Sequence, residues 1–332
     1  MMLMAASSPP VIIVRWSGGR GRAAAAPLEA AAGDGRRKQM EKRRRGTITS
    51  TSNPLVKHCV KLRQSSSYRR SQSSALVVGL APIMEICQYQ DFKVDEPPIV
   101  DCLLLLDGTE IPEVFNDSYS SVLHVSPNVM KKLSGMQSVE STEGIAILRL
   151  PSSFYDMNVN QEEGVYGNWF PSPHRILVLD GIQDPGNLGT LLRSALALKW
   201  DGVFLLPGCC DPFNEKVLRA ARGASFQLPL VYGNWSHLNS MRSRFQMKML
   251  AGHPENNSEG LTKTSSLSRA LADSLRGEPL CLVLGSEGSG LSEQTLQCCE
   301  LVSIAMAGLF DSLNVSVAGG IFLYMLQPQH HK

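Results

Sequence analysis

The sequence predicts an α/β protein with a parallel sheet covered by helices on both faces, preceded by a smaller α/β unit. Three observations predict it. From Arg175 onward, short apolar runs alternate with helix-length segments, the pattern of strand–helix units whose strands run parallel. Hydrophobic residues make up 43% of the chain, enough for a sizeable core. At 332 residues the chain exceeds one average domain.

Residues 1–46 are Ala-, Ser- and Arg-rich, with no acid before Glu29 and no apolar period. That is the composition of an organelle transit peptide, the alternative being a basic tail that touches RNA. A chloroplast is the expected destination and a mitochondrion the alternative.

The small α/β unit is placed over residues 47–150. Apolar residues at 55, 56, 59, 60 and 62 predict a helix starting at Asn53, with Pro54 at its first position. Strands are predicted over Ala75–Gly79, Val100–Leu106, Val122–Val125 and Gly144–Leu150, with a turn at Asp107-Gly108 and a helix over Ser126–Leu133 capped by Ser126. Residues 151–171 are polar, carry Gly, Asn and Pro, and include the acidic run 161–163. They read as a linker to the larger domain, 172–328.

In that domain the predicted strands are Ile176–Leu179, Val203–Leu206, Leu228–Val231, Lys248–Ala251, Cys281–Leu284 and Leu301–Ile304. The predicted helices are Leu188–Lys199, Glu215–Gly223, Ser266–Arg276 and Leu313–Leu326.

Composition also excludes functions. No apolar run approaches the roughly 18 residues of a membrane-spanning helix; Gly319–Leu326 is too short. The eight Cys contain no C-x-x-C, and H-E-x-x-H is absent, so no metal is expected. The thiols read as reduced, mostly buried and intracellular. The net charge of +2 hides an asymmetry: residues 1–70 hold 15 bases and 3 acids, leaving 17 bases and 27 acids elsewhere. Attraction to polyanions is therefore local.

Three segments interrupt buried elements with polar residues. In the first, a strand ends at Asp180, a Pro-Gly turn follows, and Asn187 is placed to cap a helix that embeds Arg193 among leucines. Ligands of parallel sheets bind at the carboxyl ends of strands, and an Arg on an apolar helix must find an anion or a core partner. In the second, Gly285, Gly288 and Gly290 let backbone amides approach a ligand. Their spacing is neither a dinucleotide fingerprint nor a P-loop, and Glu287 is the only charge in that loop. In the third, a strand leads through Gly308 to Ser312 and Asn314, either of which would also serve as a plain helix cap.

Together, Asn187-Leu-Gly-Thr-Leu-Leu-Arg193-Ser-Ala195, Leu284-Gly-Ser-Glu287-Gly-Ser-Gly290-Leu-Ser292 and Ser303-Ile-Ala-Met306-Ala-Gly-Leu-Phe-Asp311-Ser-Leu-Asn314-Val-Ser-Val-Ala318 resemble, in this order, the three signature motifs of the SpoU (TrmH) branch of the SPOUT methyltransferases. The resemblance covers about residues 175–326, including Lys216-Val-Leu-Arg219-Ala-Ala-Arg222-Gly-Ala-Ser-Phe226, similar to the family's substrate-side helix. More weakly, Asn53–Lys57, Ala75–Gly79 and Glu143–Ile147 resemble its N-terminal substrate-binding domain.

This resemblance implies a deep trefoil knot near the carboxyl end and transfer of methyl from S-adenosylmethionine to a ribose 2′-hydroxyl of RNA. Gly285, Ile304 and Leu313 would contact the cofactor. Asn187, Arg193, Glu287, Ser312 and Asn314 would carry the chemistry. The family is said to use Arg193's counterpart as base; because a guanidinium stays protonated, a role in fixing a phosphate and steadying the developing alkoxide fits Arg193 better. Homodimers are implied, with the small residues of the last helix at the interface. Phosphate contacts are expected from Lys57, Lys61, Arg63, Arg69, Arg70, Lys216, Arg219 and Arg222, and base stacking from Tyr68. Two departures stand out: Ala305 where a Pro is common and Met325 where a Glu is usual. The expected substrate is organelle rRNA. The alternatives are tRNA and a non-catalytic RNA-binding ribosome-assembly factor of the same fold.

Overall fold

The computed structural model describes residues 47–90, 99–115, 121–136, 142–157, 169–254, 264–286, 288, 290–308 and 312–328. The readings of residues 1–46, the acidic run 161–163 and Glu287 lie outside the described residues.

The chain forms two sheets. Helix α1 (Pro54–Gln64) opens as predicted: Asn53 accepts from the Leu55 amide, and Pro54 stands at the first turn. Helix α2 (Ser66–Gln72), strand β1 (Ser74–Val78), helix α3 (Leu80–Gln90), strands β2 (Val100–Leu106) and β3 (Val122–Val125), helix α4 (Pro127–Ser134) and strand β4 (Gly144–Arg149) follow. The strand order is β1-β4-β2-β3; β4 runs antiparallel to β1 and β2, and β3 parallel to β2. Ser126 is the cap residue of α4, but its side chain makes no capping bond, which corrects that expectation. The cap position is right because Pro127 presets the first turn.

The second sheet begins inside the segment read as a linker. Strand β5 (Phe154–Asp156) pairs with β8 (Leu230–Tyr232) at one edge. Between and beyond them come β6 (Arg175–Asp180), α5 (Pro185–Ala197), β7 (Gly202–Leu205), α6 (Glu215–Ala221) and α7 (Ala224–Gln227), then α8 (Trp235–Phe245), β9 (Lys248–Gly252), β10 (Ser265–Ser266) and α9 (Arg269–Ser274), and last β11 (Leu280–Gly285), α10 (Glu293–Cys298), β12 (Glu300–Ser303) and α11 (Val315–Met325). Every ladder is parallel, in the order β10-β12-β9-β11-β6-β7-β8-β5. The alternation of apolar runs and helices predicted this parallel sheet. The chain path doubles back at its end: β12 lies outside β9, and α11 returns to pack on α5, β9 and β11.

Close packing fixes α5. A Cβ on Gly189 would lie 2.6 Å from both the Ala220 Cβ and the Val217 carbonyl oxygen, so only Gly allows α5 and α6 to approach this closely. The last helix is held at its far end. The buried Arg175 donates to the carbonyls of Leu326 (2.8 Å), Leu275 (2.9 Å) and Glu278 (2.6 Å), and the Trp200 indole donates to Leu323 (3.2 Å). The bonds to Leu275, Leu323 and Leu326 satisfy carbonyls that α9 and α11 leave without intrahelical partners.

The two sheets share one core. Val77, Ile83 and Ile86 from the first pack in the same apolar cluster as Leu192, Ala221 and Phe226 from the second. Separate clusters fill the far face of each sheet.

Candidate functional site

A cavity of about 650 Å³ opens at the carboxyl ends of β9, β11 and β12, within the roughly 300–1,000 Å³ of small-molecule sites and where ligands of parallel sheets bind. The loop after β9 contributes His253, the loop after β11 Gly285, Ser286 and Gly290, and the segment after β12 Ile304 and Met306. Ser312, Leu313, Asn314 and the inner face of α11 close it. Gly285, Ile304 and Leu313, expected around a cofactor, thus line one cavity with Ser312 and Asn314.

The second-motif loop is tied down from two sides. Ser286 and Gly290 exchange backbone bonds of 3.1 and 2.9 Å. A Cβ on Gly285 would lie 2.4 Å from the Gly290 oxygen, so any side chain there would force the loop open. From below, Asp180 Oδ2 accepts from the Ser292 amide (3.1 Å) and the Thr295 hydroxyl (2.6 Å). Asp180 therefore fastens the end of the first-motif strand to the loop that forms the cavity wall. Sequence reading marked Asp180 only as the end of a strand. The signal was present: a carboxylate closing an apolar run needs donors nearby.

Asn314 caps α11. Its Oδ1 accepts from the Ser316 amide (2.9 Å) and hydroxyl (2.6 Å), and its Nδ2 donates to Asn187 Oδ1 (3.2 Å). One side chain thus starts the helix and joins the first motif to the third. Asn187 itself is not the cap of α5: Asp184 is, accepting from the Asn187 amide at 2.7 Å. The Pro at the first turn moves the cap three residues upstream of the expected one.

Arg193 is not embedded, which corrects another expectation. The buried face of α5 is Leu188, Gly189, Leu191, Leu192 and Ala195, and Arg193 stands exposed opposite it. Among the described residues it makes no hydrogen bond or ion pair and does not line the cavity.

The small residues of α11 divide between faces. Gly319 packs against Leu191 and Leu284, and Ala318 lines the cavity, while Leu313, Val317, Ile321 and Tyr324 form an exposed apolar stripe.

The basic residues expected to touch RNA also divide. Arg69 is 2% exposed; its Nε and Nη2 donate to Asp211 Oδ2 at 2.8 and 2.6 Å, and its Nη1 to the Leu62 carbonyl at 2.6 Å. It is a strut between the two sheets, not a phosphate contact. Arg70 pairs with Asp156 at 2.8 Å and lies over the Tyr232 ring, and Arg222 Nε donates to Glu85 at 3.0 Å. The bond to Glu85 also holds Arg222 above its ordinary pKa. Both pairs cross the same seam. Arg63 is half-buried against Gly135, and burial lowers its pKa. Arg219 pairs with Glu215 one turn away. Lys57, Lys61 and Lys216 are exposed. Tyr68 is engaged by His58 Nδ1 (2.9 Å) and by Lys61 over its ring.

Cys209 donates to the Leu179 carbonyl (3.2 Å), and burial pushes its thiol pKa up to about 12, as it does for Cys210. These are neutral packing thiols. Among the described residues no group of three or more His, Cys, Asp or Glu is placed to hold a metal, and no helix is long and apolar enough to cross a membrane.

Comparison with known proteins agrees with this geometry. Residues 174–324 match the model of the SpoU rRNA methylase family. An uncharacterized tRNA/rRNA methyltransferase of Synechocystis is 30% identical over 289 residues, covering 85% of this chain and 94% of the relative. The 23S rRNA (guanosine(2553)-2′-O)-methyltransferase RlmP of Bacillus subtilis is 32% identical over 155 residues, 46% of this chain and 58% of that protein. Among solved structures, an RNA 2′-O ribose methyltransferase superposes with a TM-score of 0.63 at 28% identity, covering 85% of this chain and 98% of its own. An AdoMet-bound rRNA methyltransferase of Sinorhizobium meliloti shares the fold, with a TM-score of 0.63 at 23% identity over 85% of this chain and 97% of its own. With near-full-length relatedness, the second and third motifs lining one cavity and the first joined to them through Asn187 and Asn314, the chain belongs to the SpoU methylase family.

Proposed function

We propose that this SpoU methylase transfers the methyl group of S-adenosylmethionine to a ribose 2′-hydroxyl of organelle rRNA, in a chloroplast before a mitochondrion, as a homodimer. The observation that carries the reading is the single cavity that gathers Gly285, Ile304 and Leu313 beside Ser312 and Asn314. Its lining fits the donor. Leu284, Ile304, Val315 and Phe322 offer apolar walls, Gly285 and Gly290 bring bare backbone to the cavity, and no Lys or Arg among the described lining residues opposes a sulfonium. When bound, S-adenosylmethionine supplies a methyl carbon activated by its positive sulfur.

The rest falls to the protein. A ribose hydroxyl is a weak nucleophile and must lose its proton as it attacks. The departing thioether needs no proton, so in-line positioning is the larger task. Asn314, pinned to Asn187 and to the start of α11, orients the ribose, with Ser312 beside it. Arg193, charged and without a partner among the described residues, holds a phosphate next to the target sugar and steadies the developing alkoxide. Glu287 holds substrate or its own loop.

Because Arg193 does not line the cavity of its own chain, a second copy delivering it to the partner's site is the simplest arrangement. The apolar stripe Leu313, Val317, Ile321 and Tyr324 is where that copy would pack, since exposed apolar patches mark contact surfaces. The placing of β12 outside β9 and the return of α11 onto α5, β9 and β11 support the knot that the motifs imply. The module over residues 47–150, with exposed Lys57 and Lys61, supports an RNA substrate, and the rRNA-directed relatives favour rRNA over tRNA.

Incubation of the purified protein with labelled S-adenosylmethionine and organelle RNA tests the reading. 2′-O-methyl nucleotides in rRNA are expected. Label confined to tRNA would move the substrate, and RNA binding without label would favour the assembly-factor alternative.

A further inference from the structure

We propose that His253 is a specificity-determining residue for the methyl donor, its imidazole accepting a hydrogen bond from the exocyclic amine of the adenine. The inference rests on the reading that the cavity holds S-adenosylmethionine. Among the described residues lining the cavity, His253 carries the only ionisable side chain. Its backbone is fixed where β9 ends, the amide donating to the Val302 carbonyl at 2.9 Å. Its Nδ1 lies 2.7 Å from the Pro254 carbonyl oxygen. A carbonyl can only accept, so Nδ1 carries the proton; in the neutral ring Nε2 is then an acceptor.

The other polar side chains lining the cavity are poorly suited to this task. Asn314 already spends its oxygen on Ser316 and its nitrogen on Asn187. Ser286 and Ser312 carry hydroxyls, which donate as readily as they accept and so discriminate little. Leu284 and Phe322, which crowd the neighbouring Gly252, line the same cavity and offer apolar surface suited to a purine. A purine held there with an acceptor at its edge is selected for a donor at that edge. Adenine has one in its 6-amino group; a 6-oxo purine presents an acceptor, and two acceptors facing one another repel. A site built to hydrogen-bond one group rejects the analogue that lacks it.

The test is calorimetric titration of the full chain and its His253→Phe and His253→Gln variants with S-adenosylhomocysteine and S-inosylhomocysteine, after thermal melting has shown the variants to be folded. The unaltered chain should bind the adenosyl compound at least about tenfold more tightly, the worth of one neutral hydrogen bond. His253→Phe should lose about tenfold on the adenosyl compound and little on the inosyl one. His253→Gln, which retains an acceptor oxygen, should recover part of the preference. Equal losses on both compounds, or none on either, overturn the inference. If the unaltered chain binds neither compound, the methyl-donor reading fails, and this inference with it.

Discussion

At the seam between the two sheets, Arg69, Arg70 and Arg222 each meet a carboxylate, on Asp211, Asp156 and Glu85. At the carboxyl ends of the large sheet the polar groups behave differently: Asn314 and Asn187 bond each other, and Arg193 meets no carboxylate among the described residues. The seam spends its cations on the fold, whereas Arg193 on α5 stands exposed and without a partner among the described residues. A basic residue on a helix therefore says nothing of its role until its partner is known. The comparison also explains why the smaller module is no loosely tethered arm, since its ion pairs cross a core that both sheets share.

Breaking the seam should have the largest effect on stability. Arg69→Ala leaves the half-buried Asp211 without its cation, and the loss should approach the ~3–5 kcal/mol of a broken buried pair. Urea unfolding should show it as a large fall in midpoint, and the double variant Arg69→Leu with Asp211→Leu should recover much of it. An Arg69→Ala protein of unchanged stability whose RNA affinity falls steeply with salt would restore Arg69 as a phosphate contact.

At the cavity end the expected effects fall on activity. Arg193→Ala should leave the melting temperature within a degree or two, because the side chain is exposed, yet slow methyl transfer by about 10²–10³-fold, the worth of one preorganised charge-stabilising donor. Mixing Arg193→Ala with an inactive Asn314→Ala protein should restore part of the activity if the two residues act across a dimer. Asp180→Asn comes next. It weakens the bonds to Ser292 and Thr295 that hold the second-motif loop, and a bond to a charged group is worth about 1.5–3 kcal/mol. It should raise the KM for the methyl donor roughly tenfold more than it lowers kcat. The smallest change is at the exposed lysines: Lys57→Gln and Lys61→Gln should leave stability unchanged and each reduce the salt dependence of RNA binding by about one unit of slope.

Much of this architecture was legible in the sequence. Six of the eight strands of the large sheet, all but β5 and β10, lie within two residues of their predicted bounds, because runs such as Ile176–Leu179 and Cys281–Leu284 are buried on both faces and read as continuous apolar stretches. Helix α3 was not, because Leu80-Ala-Pro-Ile-Met is apolar on all sides and shows no stripe to set a period. Strand β5 has only three residues, too few for an alternation to emerge, and it exists only because β8 offers it an edge.

Within the site the resemblance of the motifs to the family's singled out Gly285, Ile304, Leu313, Ser312 and Asn314, which line one cavity. It could not separate the arginines. Arg69, Arg70 and Arg193 all stand on helices near apolar residues, and only the fold reveals that Asp211 and Asp156, 142 and 86 residues further on, come to meet the first two. His253 was passed over for the same reason, since it lies outside every motif and reaches the cavity only through the strand order that sets β9 beside β11 and β12.

All of these roles require that a methyl donor sit in the cavity at the ends of β9, β11 and β12. A crystal structure of the chain with S-adenosylhomocysteine tests it most directly. The ligand should lie against Gly285, Ile304 and Leu313; well-ordered density for it anywhere else, with this cavity left to water, would contradict the account.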